Sequence, residues 1–77
     1  MPTIVVIEGF RFFFYSNEHQ PTHVHVRHGS GEACFEMEPA VELRDSKGMS
    51  VAELRKALRL VQENKQLFLE KWNEFFG

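Results

Sequence analysis

Polar and apolar positions alternate in twos through much of the first half of the chain and recur in threes and fours through its last third, so the sequence predicts strands followed by helix. Ile4 to Tyr15 divides at Glu8-Gly9, an acidic residue and a glycine between two β-prone runs, which predicts strands near 3–7 and 10–15 joined by a two-residue turn. With Ile7 facing Phe10, Val5 meets Phe12 and Thr3 meets Phe14 on one apolar face. Val6 then meets Arg11 and Ile4 meets Phe13 on a mixed one. Ser16 to Thr22 is polar and contains Pro21, which predicts a loop. His23-Val24-His25-Val26-Arg27-His28 and Ala33-Cys34-Phe35-Glu36-Met37-Glu38 then alternate on either side of Gly29-Ser30-Gly31, giving a second hairpin.

The alternation of that hairpin selects its register. Val24 opposite Phe35 and Val26 opposite Ala33 make a core side, while His23 faces Glu36, His25 faces Cys34 and Arg27 faces Glu32 on the other. A slip of one residue sets Arg27 against Ala33 and spoils both faces. Pro39 bends or ends the strand, and Val41-Glu42-Leu43 can add a short edge strand before a turn at Asp45-Ser46-Lys47-Gly48. Ser50-Val51-Ala52-Glu53 is a capping box and starts a helix. Leu54, Leu58, Val61, Phe68, Trp72 and Phe75 form its apolar stripe, interrupted once at Lys65. The expected fold is α+β: a single domain over residues 1–77 in which two β-hairpins, with the short fifth strand, form an antiparallel sheet packed on one long C-terminal helix near 50–75.

Leu60, Leu67, Leu69 and Phe76 fall outside the stripe and give more apolar surface than one small sheet covers. They are expected to bind a protein partner or a second copy. Composition narrows the setting. Nine Lys and Arg against eleven Asp and Glu argue against generalised phosphate-driven binding of RNA or DNA, although a local basic patch such as Arg55, Lys56 and Arg59 stays open. No membrane-length apolar run occurs, nothing near Met1 reads as a signal peptide, and Cys34 is the single cysteine, so the cytoplasm is the expected compartment. No sequence motif calls for a cofactor: Gly9, Gly29 and Gly31 sit at turns with no helix directly after them.

The chemistry concentrates in one segment. All four histidines lie between His19 and His28, and His23, His25 and Arg27 share one strand face, each about 7 Å from the next. Three readings are open. The His23–His25 pair supplies two ligands for zinc or copper, with Cys34 and Glu36 across the strand as further donors. The same two imidazoles can act as general base and acid on an RNA phosphodiester, a metal-independent ribonuclease chemistry, with Arg27 holding the phosphate and Tyr15 or Arg11 joining if the hairpins are adjacent. Alternatively, the row is the solvated side of an amphipathic strand, tied by His23–Glu36 and Arg27–Glu32 pairs.

The opening Met1-Pro2-Thr3-Ile4, Gly9-Phe10 with the aromatic run to Tyr15, the segment Pro21-Thr22-His23-Val24-His25-Val26 and the closing Leu69-x-x-Trp72-Asn73-x-Phe75 resemble a family of small bacterial proteins known as domain of unknown function 4160. Relatives often carry two prolines before the His-Val-His-Val run, where this chain has Pro21 and Thr22. The resemblance implies a stand-alone bacterial domain from a family whose genes often sit beside another small-domain gene, in an arrangement that looks like toxin–antitoxin pairs. It carries over no catalytic residues. The function expected from these observations is a small interaction module, one half of such a pair, that presents the His/Arg face.

Overall fold

A computed structural model describes residues 3–15 and 20–77. Five strands form one antiparallel sheet in the order in which they occur: β1 (Thr3–Ile7), β2 (Phe10–Phe13), β3 (His23–His28), β4 (Gly31–Glu36) and β5 (Glu42–Lys47). Two helices follow, α1 (Val51–Glu63) and α2 (Lys65–Phe76). His19, one of the four clustered histidines, lies outside the described residues, as does most of the loop before Pro21. No helix among the described residues is long and apolar enough to cross a membrane.

The first turn has the geometry that its residues predict. Glu8 and Gly9 both have positive φ, 52° and 84°, the requirement of a type I′ hairpin turn. Ile7 pairs with Phe10, Val6 with Arg11 and Val5 with Phe12. Beyond them the register shifts, so Thr3 meets Phe13 instead of Phe14. A bulge of this kind adds twist where β1 begins, and no residue pattern announces it. The second hairpin keeps the expected register from His23–Glu36 to Arg27–Glu32, and the Met37 N–H donates to the Thr22 carbonyl (3.1 Å), extending it by one rung. At the far end of this hairpin, Gly31 leaves no room for a side chain, since a Cβ there would lie 2.7 Å from the Gly48 carbonyl oxygen.

Phe10, Phe12, Phe14, Val24, Val26 and Phe35 line one sheet face and pack on Ala57, Leu60, Val61, Phe68 and Trp72 of the helices. Two expectations are corrected here. The fifth strand is longer than Val41–Leu43 and runs through Asp45-Ser46-Lys47, with the turn displaced to Gly48 (φ 75°). The long helix is two helices, broken at Asn64 (φ −112°). The Asn64 side chain donates to the Leu60 carbonyl at 2.8 Å, and its own N–H is shared between the Leu60 and Val61 carbonyls, so the residue leaves helical geometry while keeping its bonds. Lys65, the gap in the apolar stripe, marks this break.

The buried arc of α1 takes up one residue of the expected apolar surplus. Leu60 is 1% exposed and belongs to the core, which removes it from any partner-binding surface. Leu67, Leu69 and Phe76 are half-buried against the same core. The basic patch is also engaged: Lys56 Nζ pairs with Glu8 at 2.9 Å, and Arg59 reaches Glu8 at 3.9 Å and Glu63 at 3.2 Å. These bonds tie the first hairpin turn to α1.

The helix start is a complete capping box, with Glu53 N–H donating to Ser50 Oγ and Ser50 N–H donating to Glu53 Oε1. His28 Nδ1 donates to the other Glu53 oxygen at 2.7 Å, and the His28 ring stacks on Phe10. Glu53 is thereby held below the ordinary value of 4.5, first by the Ser50 N–H and then by His28. Glu8 is lowered by the bond and charge of Lys56. A carboxylate whose folded pKa is depressed adds stability that is whole above the unfolded pKa and is lost as pH falls through the folded one. The urea midpoint is therefore expected to fall as pH drops below the ordinary value of 4.5. Glu53→Gln keeps the reach of the capping box without the charge and should flatten part of that decline. An acid slope identical in wild type and variant would contradict the assignment.

Candidate metal centre

The sheet face opposite the helices is built in rows by strand register. One row runs Phe13–His25–Cys34–Asp45, the next Arg11–Arg27–Glu32–Lys47, and a third joins His23, Glu36 and Glu42. Side chains two apart on β3 share this face, so His23 and His25 project from adjacent rows on the same side as Cys34.

His23 does not make the exposed pair with Glu36 expected of a solvated face. Its residue is 6% exposed, and its ring is tilted against Trp72 of α2 at 5.3 Å between centroids. His23 Nδ1 lies 2.6 Å from the Pro21 carbonyl oxygen. A carbonyl only accepts, so Nδ1 carries the proton, and in the neutral ring the lone pair is on Nε2. This is the arrangement by which an outer carbonyl fixes the tautomer and orientation of a metal-binding imidazole. His25 stands edge-on to His23 at 5.3 Å, lies over Phe13 at 5.5 Å and meets the edge of Tyr15 at 4.5 Å. Aromatic rings on two sides thus restrict its rotation.

One ligand atom each from His23, His25 and Cys34 lies within 4.8 Å of the other two. In tetrahedral zinc coordination by nitrogen and sulfur, ligand atoms stand about 3.5 Å apart, so the cluster needs to contract by about 1 Å to enclose an ion. Beside it a shallow cavity of about 150 Å³ is lined by His25, Cys34, Asp45, Glu32, Ser46 and Lys47. Asp45 pairs with Cys34 across β4 and β5, and its Oδ1 accepts the Ser46 N–H at 2.9 Å, but it stands outside the group formed by His23, His25 and Cys34. The sequence predicts a turn at Asp45, and only the continuation of β5 brings it beside Cys34.

The other candidates separate. Glu36, offered as a fourth ligand, lies 3.8 Å from Arg44 Nε. His28 is engaged by Glu53, away from the cluster. Arg27 forms a 2.8 Å ion pair with Glu32, as its register predicts, and its guanidinium stands over Phe13. The two hairpins are adjacent, so Arg11 lies directly opposite Arg27 and Tyr15 beside His25, the condition on which either could join the His face.

Neither the curated proteins nor the solved structures offer a match to the chain. Residues 9–73 match the family described as Domain of unknown function (DUF4160), a span that runs from the first hairpin turn through the His-Val-His-Val strand to the Trp72-Asn73 tail. The chain therefore belongs to that family.

Proposed function

We propose that this domain is a small regulatory binding module whose working part is a transition-metal site, with His23, His25 and Cys34 as ligands to zinc or copper. The observation that carries the reading is the convergence of two imidazoles and one thiol within 4.8 Å on two neighbouring strands. Two imidazoles and a thiolate suit a borderline-to-soft ion and disfavour magnesium or calcium. Burial supports it as well: His23 and Cys34 are buried and His25 partly so, and a site sunk into a sheet face excludes much of the water that competes for the ion. A metal on a sheet face becomes a regulatory signal when a partner protein reads it, and a partner is what the two-gene arrangement implied by the family resemblance leads one to expect.

The test is metal content of the untagged protein after incubation with zinc and removal of the excess, joined to cobalt substitution. One equivalent of retained zinc, together with a thiolate-to-cobalt charge-transfer band that disappears in Cys34→Ser, is the expected result. A folded protein that retains no zinc and shows no such band overturns the proposal.

A second reading draws on a different observation. Arg11 and Arg27 face each other directly, an arrangement of like charges that costs stability unless an anion lies between or beside them. Glu32 supplies part of that charge, and an RNA phosphate could supply the rest, with His25 and Tyr15 adjacent for proton transfer. RNA cleavage that persists in chelator and is lost in His25→Ala would establish this reading in place of the metal site.

A further inference from the structure

β5 is an outer strand of the sheet, all six of its residues are exposed, and an open edge of this length is a template for another strand. Its sequence, Glu42-Leu43-Arg44-Asp45-Ser46-Lys47, is complementary to itself when run antiparallel. With a two-fold axis between Arg44 and Asp45, Glu42 faces the second copy's Lys47, Leu43 faces Ser46, and Arg44 faces Asp45, each pair occurring twice. We infer that the occupant of this edge is a second copy of the chain, paired β5 to β5 in that register to make one continuous ten-stranded sheet.

The side-chain directions agree with the charges. The β4–β5 register puts Glu42, Asp45 and Lys47 on the outer face, opposite Glu36, Cys34 and Glu32, and puts Leu43 and Ser46 on the core face, opposite Phe35 and Ala33. Arg44 sits at the register shift and reaches Glu36, which also places it on the outer face. Every pair across the proposed axis therefore joins residues of the same face. Neighbouring registers fail. Moving the axis by one residue sets Glu42 against Asp45 or Arg44 against Lys47, and centring it on Arg44 or Asp45 opposes like charges at the axis itself.

Apolar surface adds to the pairing. Along the core side of β5 runs a groove of about 160 Å³ lined by Phe35, Leu43, Val51, Leu54, Arg55 and Leu58. Leu43 is 47% exposed and Val51 67%. The two-fold axis sets the two grooves side by side on one face of the joined sheet, so dimerisation covers apolar surface that the single chain leaves open. The partner has the required charges in the required order because it is the same strand.

The experiment is sedimentation equilibrium of the full chain and three variants. Wild type is expected to show a concentration-dependent dimer that weakens as salt is raised. Glu42→Lys sets a lysine against the second copy's Lys47 at both ends of the paired strands and is expected to weaken dimerisation about tenfold. Within its own chain it replaces the opposed Glu36 and Glu42 by an attractive pair, so misfolding does not account for the loss. Lys47→Glu is expected to be equally defective, with its fold checked by circular dichroism. An equimolar mixture of Glu42→Lys and Lys47→Glu restores both cross-axis pairs and is expected to form a heterodimer, and Glu42→Lys/Lys47→Glu is expected to dimerise with itself. A wild type that is monomeric at every concentration, a dimer indifferent to Glu42→Lys, or a mixture that stays monomeric overturns the inference. Neither substituted residue belongs to the His23/His25/Cys34 cluster, so this outcome is independent of metal binding.

Discussion

Phe12→Ala is expected to remove about 3–5 kcal/mol of folding stability, the usual cost of replacing a fully buried phenylalanine by alanine. At about 0.05–0.15 kcal/mol per residue, a domain of 77 residues has about 4–12 kcal/mol in total, so the variant should be largely unfolded or melt far below the wild type. The site explains the size of the effect. Phe12 is 0% exposed, faces Val5 on one side and Val26 on the other, and brings its ring to 5.1 Å from Phe68 of α2. Its removal opens a cavity where sheet and second helix meet. Phe75→Ala is the control, since that residue is 50% exposed and its loss should cost much less. Urea titration followed by circular dichroism measures both. Similar losses for the two would contradict the description of the core.

Zinc is expected to raise the melting temperature substantially in the wild type and not at all in His23→Ala/His25→Ala. Any ligand that binds only the folded chain stabilises it by mass action, about 2.7 kcal/mol at a free concentration one hundred times the dissociation constant. For a domain of this length that corresponds to a shift of roughly 10–20 °C. Cys34→Ser should lose most of the shift because a hydroxyl is a poor ligand for a borderline ion, while Asp45→Asn, outside the three-ligand group, should keep most of it. The shift should shrink on acidification, because protons compete with the ion for imidazole and thiolate. Differential scanning calorimetry at matched free zinc gives the comparison. An equal shift in the double variant would move the binding site elsewhere.

The parts of the fold that were legible in the sequence are those in which a two-residue period met an apolar face. His23 to His28 and Ala33 to Glu36 contain enough alternation to exclude a slipped register, and the structure has the register so selected. β5 lacks that signal. It is exposed at every position and contains Asp45-Ser46-Lys47, residues typical of a turn, so only its pairing with β4 identifies it as a strand. Asn64 was equally silent, because one asparagine in a helical pattern is common and its bond to the Leu60 carbonyl is visible only in three dimensions. Leu60 follows from a choice of arc: α1 buries Ala57, Leu60 and Val61, next to the Leu54–Leu58–Val61 stripe, and only the position of the sheet shows which arc is covered. At the site, His23, His25 and Cys34 follow from strand register alone. The burial of His23 does not, since Trp72 reaches it from the far end of the chain.

That reach couples the C-terminal helix to the face on the other side of the sheet. α2 is set off from α1 at Asn64 and holds Trp72 against His23, while the Phe75 near its end remains half in solvent. Unzipping of this last segment alone, with the strands still paired, would strip the cover from His23 and admit water to its ring. With a metal held at the proposed site, its occupancy and the docking of the tail become two readings of one equilibrium. Amide hydrogens along α2 should exchange more slowly when the site is filled, and a protein that grips or pulls the C-terminal segment would control ligand uptake without touching the ligands.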